Sequence, residues 1–316
     1  MKKTNNKPDD KTSNHTRLNR QPRDGEPQSE ILLTEPSQPL NRFVTPAVYG
    51  QQVVGKSPGG PLDQFSWLQT QSLLQYPSND QVVSWELCWP DRVVFQRDCW
   101  IVTTGAPRAW RLGGDLIEHG QVVKASQNMI LSWGRALRGF RSYFSCTAVT
   151  VDNQSLGARQ RGSTMKLFSW VLPRRVRVLL GPEAVWQLDA CQSTLERLLN
   201  TPWRVSPQSN AMGLRLLPID GQGGFQSPTQ MISQPVNDGT VQLTPTEAIV
   251  LLRDRQTIGG YLRLLNVISA DIDLLAQYQP GELIRFELVT EEEAVAVAAL
   301  KKACFREWCE RACVPG

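Results

Sequence analysis

Apolar and polar residues along this chain change over in short runs, closer to the period of strands than of helices. Between 82 and 151 such runs recur at 82–87, 92–95, 100–104, 121–123, 129–132 and 142–151. They are rich in branched and aromatic residues. Turn formers divide them at Pro90-Asp91, Gly105-Ala106-Pro107, Gly113-Gly114-Asp115 and Asp152-Asn153. Short strands with frequent turns predict a sandwich or a barrel. Further strands fall at 174–180, 239–243, 248–252, 262–268 and 282–289, and the 44–54 stretch reads as containing one more. Three segments keep helical spacing instead. In 64–75 the apolar face is Phe65, Leu68, Leu73 and Leu74, and Asp63 stands where an N-cap belongs. In 183–200 Val185, Leu188, Cys191, Leu195, Leu198 and Leu199 share a face, with Pro182 in the first turn and Pro202 as the stop. The last helix runs from a capping box, Thr290-Glu291-Glu292-Glu293, to about Arg311.

The most polar break in this pattern is Arg253-Asp254-Arg255-Gln256-Thr257-Ile258-Gly259-Gly260-Tyr261, set between two apolar runs. Two arginines, an aspartate, an amide, a hydroxyl and a Gly pair make either a hairpin loop with solvated charges or a binding surface. Glycines let another backbone or a ligand come close. Glu86, between Trp85 and Leu87, is either on a solvent face or buried and paired. The Gly-rich loop 55–63 before a helix either ends in a simple cap at Asp63 or holds an anion. It lacks the Gly-Lys-Ser/Thr ending of a phosphate-binding loop. In 206–216, Ser209 and Asn210 offer short donors and acceptors. Arg215 is suited to a bidentate clamp on a carboxylate, or is a surface arginine. Polar loops also fall at 159–164 and 220–228.

Composition narrows the classes. The chain has 316 residues, 41% of them apolar, and a net charge of +4. That mild charge, with no basic stripe, argues against nucleic acid. No apolar run approaches a membrane span, and no apolar stretch follows Met1-Lys2-Lys3, so the expected compartment is the cytoplasm. Seven cysteines and two histidines without Cys-x-x-Cys spacing predict free thiols and no metal site. Residues 1–42 are polar and read as a disordered tail. Residues 43–316 read as the folded part, either one domain or two β subdomains meeting near 172–180.

The stretch 239–294 resembles the biotin-dependent carboxyltransferase family, also called the allophanate hydrolase subunit 2 family, which includes the C subunit of bacterial 5-oxoprolinase. The matching residues are Gly239-Thr240-Val241-Gln242, Asp254-Arg255-Gln256-Thr257 with Gly259-Gly260-Tyr261, Val267-Ile268-Ser269-Ala270-Asp271, Leu275-Ala276-Gln277, Pro280-Gly281 and Glu292-Glu293-Ala294. Earlier pieces agree: Gly60-Pro61-Leu62-Asp63, Trp85-Glu86, Arg141-Ser142-Tyr143, Gly181-Pro182-Glu183, and Ser209-Asn210 with Met212-Gly213 and Arg215-Leu216. The resemblance covers about 50–295. It implies a mainly β fold of antiparallel, cyclophilin-like β-barrels with peripheral helices.

The resemblance also implies work in an assembly. The C-type component of 5-oxoprolinase acts with A-type and B-type components to open 5-oxoproline to L-glutamate with ATP hydrolysis. The related domain of urea amidolyase passes a carboxyl group from carboxybiotin to urea. Opening a lactam requires an activated carbonyl and a stabilised anion. The candidate catalytic residues are Asp254, Arg215 and Glu86. The candidate substrate-binding residues are Asp63, Asn210, Arg255, Gln256, Thr257, Gly259, Gly260, Tyr261 and Asp271. ATP is expected to be used by the complex, and the chain has no biotin-carrier Met-Lys-Met segment. Expected partners are A- and B-like 5-oxoprolinase subunits and a small-molecule substrate.

The chain departs from the family in its loops. Asn210-Ala211 stands where the family has an Arg or Asp-Arg pair. A Gly-rich segment is missing between Gly162-Ser163-Thr164 and Pro173-Arg174-Arg175. Altered specificity follows from this, or loss of catalysis, as in a partner-binding member linked to sensor-kinase regulation. A urea-pathway carboxyltransferase component is the third reading.

Overall fold

The computed structural model describes residues 37–74, 82–149, 175–186, 188–219 and 231–312. The readings placed on the tail before residue 37, on 159–164, on 220–228, on the missing Gly-rich segment and on Cys313 lie outside the described residues.

The first half is built of two antiparallel sheets. One orders its strands Arg42–Val44, Val83–Leu87, Ser142–Ala148, Cys99–Gly105, Val123–Ala125. The other orders Asp91–Val94, Ile130–Trp133, Trp110–Leu112, Asp115–Ile117. Side chains alternate faces along a strand, and Cys99–Gly105 uses both. Cys99 and Ile101 join Trp85, Phe95, Trp110 and Phe144 in the core of this half. Trp100 and Val102 face the other way, against Leu73 and Leu74 of the helix Gln64–Leu74. Burial on both faces explains why this strand reads as a continuous apolar run.

The described residues begin at Ser37. Asp91 accepts the backbone N–H groups of Ser37 and Gln38 at 2.7 and 2.9 Å. Asn41 Oδ1 accepts those of Cys88 and Trp89. The 44–54 stretch holds no strand beyond Val44: the strand is Arg42–Val44, ahead of the expected stretch, and Gln52–Val54 is a short 3-10 turn. The strand expected at 121–123 is Val123–Ala125. Trp110–Leu112 and Asp115–Ile117 form a hairpin that alternation misses, because each has only three residues. Its turn is visible in the sequence, since Gly113 and Gly114 take φ of 61° and 100°.

The second half is an eight-stranded sheet ordered Leu283–Ile284, Trp203–Val205, Gly213–Pro218, Ala248–Leu251, Thr240–Leu243, Leu262–Val267, Val176–Leu180, Phe286–Leu288. Its two edge strands are consecutive in sequence and separated only by Arg285. The segment 283–288 changes neighbours at that residue, pairing first with Trp203–Val205 and then in parallel with Val176–Leu180. The sheet thus wraps into a barrel, which removes free edges. The single strand expected at 282–289 is therefore two short ones, because the chain turns from one side of the closure to the other. Val176, Trp203, Leu216, Val250 and Leu265 fill the interior.

Of the expected helix 183–200, Pro182–Trp186 and Leu188–Asn200 are helical, and Gln187 lies outside the described residues. The expected apolar face is not buried as a whole. Cys191, Leu195 and Leu198 are buried, while Val185 is 61% exposed. The C-terminal helix, Glu291–Ala312, opens on the predicted reciprocal cap: Glu293 N–H donates to Thr290 Oγ1 and Thr290 N–H to Glu293 Oε2. This helix begins beside the barrel and ends on the first half. Phe305 packs edge-on against Phe65 at 4.6 Å, and Trp308 completes the cluster around Trp100. The fold is mainly β, antiparallel with one parallel pair among the described strands, and its helices lie at the periphery.

One topological fact decides the central stretch. Ala248–Leu251 and Leu262–Val267 do not pair with each other, because Thr240–Leu243 lies between them. The link 252–261 therefore crosses the end of a strand and is not a hairpin loop. Its arginines are not solvated either: Arg253 and Arg255 are 6% and 4% exposed.

Candidate functional site

Glu86 is 1% exposed, and both of its carboxylate oxygens are partnered. Its Oε1 faces Arg42 Nε at 3.2 Å and Arg141 Nε at 3.3 Å. Its Oε2 accepts Leu62 N–H and Tyr143 O–H, both at 2.7 Å. Burial works to raise this carboxyl, but the two guanidinium groups and these hydrogen bonds hold it below its ordinary value. Of the two readings left open by the sequence, Glu86 is the buried and paired one.

The amides of Asp63, Gln64 and Ser66, at the start of the helix Gln64–Leu74, are bonded within the protein. Asp63 N–H donates to Tyr143 Oη at 2.8 Å, and Gln64 N–H to Asp273 Oδ1 at 3.1 Å. Asp63 caps Ser66 N–H at 2.9 Å, as an N-cap does, and accepts Ser66 O–H and Gln277 Nε2. The anions at this helix terminus are the protein's own carboxylates. Burial first, and the charge of Asp273 second, push Asp63 up to about 6. Asp273 is held in turn by Lys301 Nζ at 2.7 Å, with Arg253 at 3.6 Å.

Asp254 joins this hub to the second half. Its side chain meets Arg42 at 2.6 Å and its backbone N–H donates to Ala211 O at 3.1 Å. Burial raises its carboxyl, Arg42 opposes that, and Glu86 adds to it.

Across the Ala211 turn lies an open groove of about 470 Å³ on the barrel surface. Arg215, Asn210, Gln256 and Tyr261 line it, so the structure brings together four candidates that span 51 positions of sequence (210 to 261). Arg215 projects from the strand Gly213–Pro218 and pairs with Glu247. Ser209 Oγ accepts Arg215 N–H at 3.0 Å. Asn210 Oδ1 accepts Met212 N–H at 2.9 Å, so this side chain shapes its own turn. Tyr261 and Met212 form a half-exposed apolar rim.

Gln242 also lines the groove. It is 1% exposed and accepts Gln256 Nε2 at 3.0 Å through Oε1, while its own Nε2 has no hydrogen-bond partner. The Gly pair serves these approaches. A Cβ on Gly259 would lie 2.3 Å from Gln242 Nε2, and one on Gly260 would lie 3.0 Å from Met231 O. It is another part of the chain that comes close here: the ribbon Gln234–Pro235 pairs with Ile258–Gly259.

The remaining candidates lie elsewhere. Arg255 is turned to Asp238, whose Oδ1 is 3.0 Å from Arg255 Nε but out of line for a hydrogen bond. Thr257 O accepts Val236 N–H. Asp271 is fully buried and saturated by Arg177, through Nε at 3.0 Å, NH2 at 2.6 Å and the backbone N–H at 3.0 Å. Sequence reasoning missed Gln242, Glu247, Arg42 and Tyr143 as participants. Gln242 stands out in the sequence only as part of a motif. Its alternation between Val241 and Leu243 was the available signal, since it marks a polar side chain within a strand that the structure shows to be buried throughout. Among the described residues no cluster of three His, Cys, Asp or Glu is arranged to hold a metal ion, and no helix is long and apolar enough to cross a membrane.

The chain is similar to the C subunit of 5-oxoprolinase from Escherichia coli, at 30% identity over 238 residues, 64% of this chain and 74% of that protein. The corresponding protein of Haemophilus influenzae is 39% identical over 94 residues, 29% of each chain. The solved structure of K. lactis urea amidolyase superimposes with a TM-score of 0.69 at 17% identity, covering 85% of this chain and 19% of that one. That likeness concerns the fold, and this chain spans about a fifth of the larger enzyme. The family model for the carboxyltransferase domain, subdomain A and B, matches residues 54–167 and 148–288. The chain therefore belongs to the carboxyltransferase subdomain A and B family.

Proposed function

We propose that the chain is the C-type component of an ATP-dependent complex that opens 5-oxoproline to L-glutamate, acting with A- and B-like subunits. The observation that carries this is the groove: a half-exposed arginine, Arg215, stands beside amide donors and an apolar rim, in a chain similar to a 5-oxoprolinase component over most of that protein's length.

The substrate carries a carboxylate and a ring amide. Arg215 suits the carboxylate, which replaces Glu247 as its partner. The carboxamide of Gln242 suits the amide, and Tyr261 and Met212 suit the ring methylenes. Asp254, with its carboxyl raised and Arg42 as its one ion-pair partner among the described residues, suits moving a proton behind the Ala211 turn. ATP, consumed by the complex, supplies activation of the lactam carbonyl. Glu86 and Asp63 act by fixing Arg42, Tyr143 and the helix start.

The test is 5-oxoproline-dependent ATP hydrolysis by this chain mixed with its A- and B-like partners, against each partial mixture. Turnover only with all three, and its loss in Arg215→Met, is expected. A stable complex without turnover supports instead a partner-binding, non-catalytic member, the reading favoured by the closure of Arg42 on Asp254. A urea-directed carboxyl transfer has weaker support, since yeast urea amidolyase is 19% identical over 295 residues.

A further inference from the structure

We propose that Gln242 is the residue that recognises the substrate's amide, as a reader of cis-amides, and that Gln256 is its placeholder in the groove. This rests on the function proposed above only for the identity of the ligand.

Gln242 is almost fully buried in the groove wall, yet its carboxamide makes one hydrogen bond of the two that its edge offers. A buried amide N–H without a partner costs about 1–3 kcal/mol, and such a cost persists most simply where a ligand relieves it. The partner in place, Gln256, is exposed and reaches back across the motif with its Nε2. It satisfies Oε1 and leaves Nε2 against Gly259.

A lactam or cyclic urea carries its C=O and N–H on the same side, since the ring forces the amide cis. That edge is complementary to a carboxamide. When Gln256 swings out, the Gln242 Nε2–H donates to the ring carbonyl and Oε1 accepts the ring N–H. One hydrogen bond is exchanged for two, and the unpaired donor is satisfied. A trans peptide presents these groups on opposite sides and does not fit. Arg215, on the same groove, then distinguishes a lactam that bears a carboxylate from one that does not.

The experiment is binding to the full chain, followed by calorimetry or ligand-observed NMR, with 5-oxoproline, 2-pyrrolidinone, N-methyl-2-pyrrolidinone, 2-imidazolidinone and proline. Cis-amides with a free N–H are expected to bind. N-methylation or loss of the carbonyl should weaken binding about tenfold, the value of roughly one hydrogen bond. Gln242→Met should cost the free-N–H ligands about tenfold or more and bring them level with the N-methyl compound. Gln256→Ala, at an exposed position, should tighten binding by removing the competitor. If it weakens binding, Gln256 is a direct ligand and the placeholder role is overturned. Binding indifferent to Gln242, or no binding of any cis-amide, overturns the reader. Gln242-dependent binding of 2-imidazolidinone without 5-oxoproline turnover in the complex leaves the reader standing and removes the 5-oxoprolinase reading. Turnover of 5-oxoproline indifferent to Gln242 does the reverse.

Discussion

Arg42 closes on Asp254 at 2.6 Å across 212 positions of sequence, and the same guanidinium holds Glu86 at 3.2 Å and Gly60 O at 2.8 Å. The first described strand thus reaches the polar link of the barrel, and one guanidinium favours the charged form of two carboxylates.

Replacing Arg42 tests that coupling. Arg42→Gln leaves Glu86 with Arg141, but Asp254 loses its only ion-pair partner among the described residues. The expected cost is about 1–3 kcal/mol, read as a lower urea midpoint, because the Glu86 end is buried and the Asp254 end is partly wet. A double-mutant cycle with Asp254→Asn should show coupling of at least about 0.5 kcal/mol. Additive effects would mean that the contact is incidental.

Asp63 gives a pH dependence of definite sign. Its folded carboxyl stands at about 6 against an ordinary 3.8, so the fold favours the protonated form. That contribution is fully present below about pH 4 and is lost as pH rises through 6, by at most about 3 kcal/mol. Glu86, lowered, acts oppositely and only at more acid pH. Asp63→Asn is therefore expected to lose less stability than the parent between pH 4.5 and 7. The measurement is the difference in urea midpoint between the two proteins at each pH. A constant difference across the window would show that Asp63 does not titrate there.

Two glycines should respond differently to the same substitution. In Gly181→Ala the new Cβ meets Arg263 O at 2.2 Å, a backbone atom held in the barrel. The expected cost is several kcal/mol, with poor recovery of folded protein. In Gly259→Ala the Cβ meets Gln242 Nε2 at 2.3 Å, the free end of a side chain. The thermal midpoint should fall little, while cis-amide binding should be lost because the carboxamide is displaced. Equal thermal losses in both would argue that Gln242 cannot move.

Asp271 is the candidate expected to act through stability alone. Asp271→Ala strands the backbone N–H of Arg177 and frees its partly exposed guanidinium, at about 1–3 kcal/mol. Ligand affinity, measured below the new midpoint, should be unchanged. A loss of affinity with an unchanged midpoint would return Asp271 to the site.

The sequence by itself determined the elements that depend on near neighbours. The capping box at Thr290 and Glu293, the cap at Asp63, and most of the strands from 83 to 148 are set by periodicity and turn chemistry over a few residues. The family and its mainly β class were also legible, because the motif residues and their order stand in the sequence. Only the tertiary structure decided what those motifs touch. Thr240–Leu243 comes between two strands that look like a hairpin, since the sheet's order follows from closing the barrel and not from adjacency in sequence. Arg253 and Arg255, which read either as solvated charges or as part of a binding surface, are buried, and Glu86 finds Arg42 and Arg141 at separations of 44 and 55 residues. Gln242 is one more polar residue in a strand until the fold sets Gly259 against it and leaves its amide unpaired. Periodicity records which face a side chain takes; which groups meet it across space is decided when the sheets close.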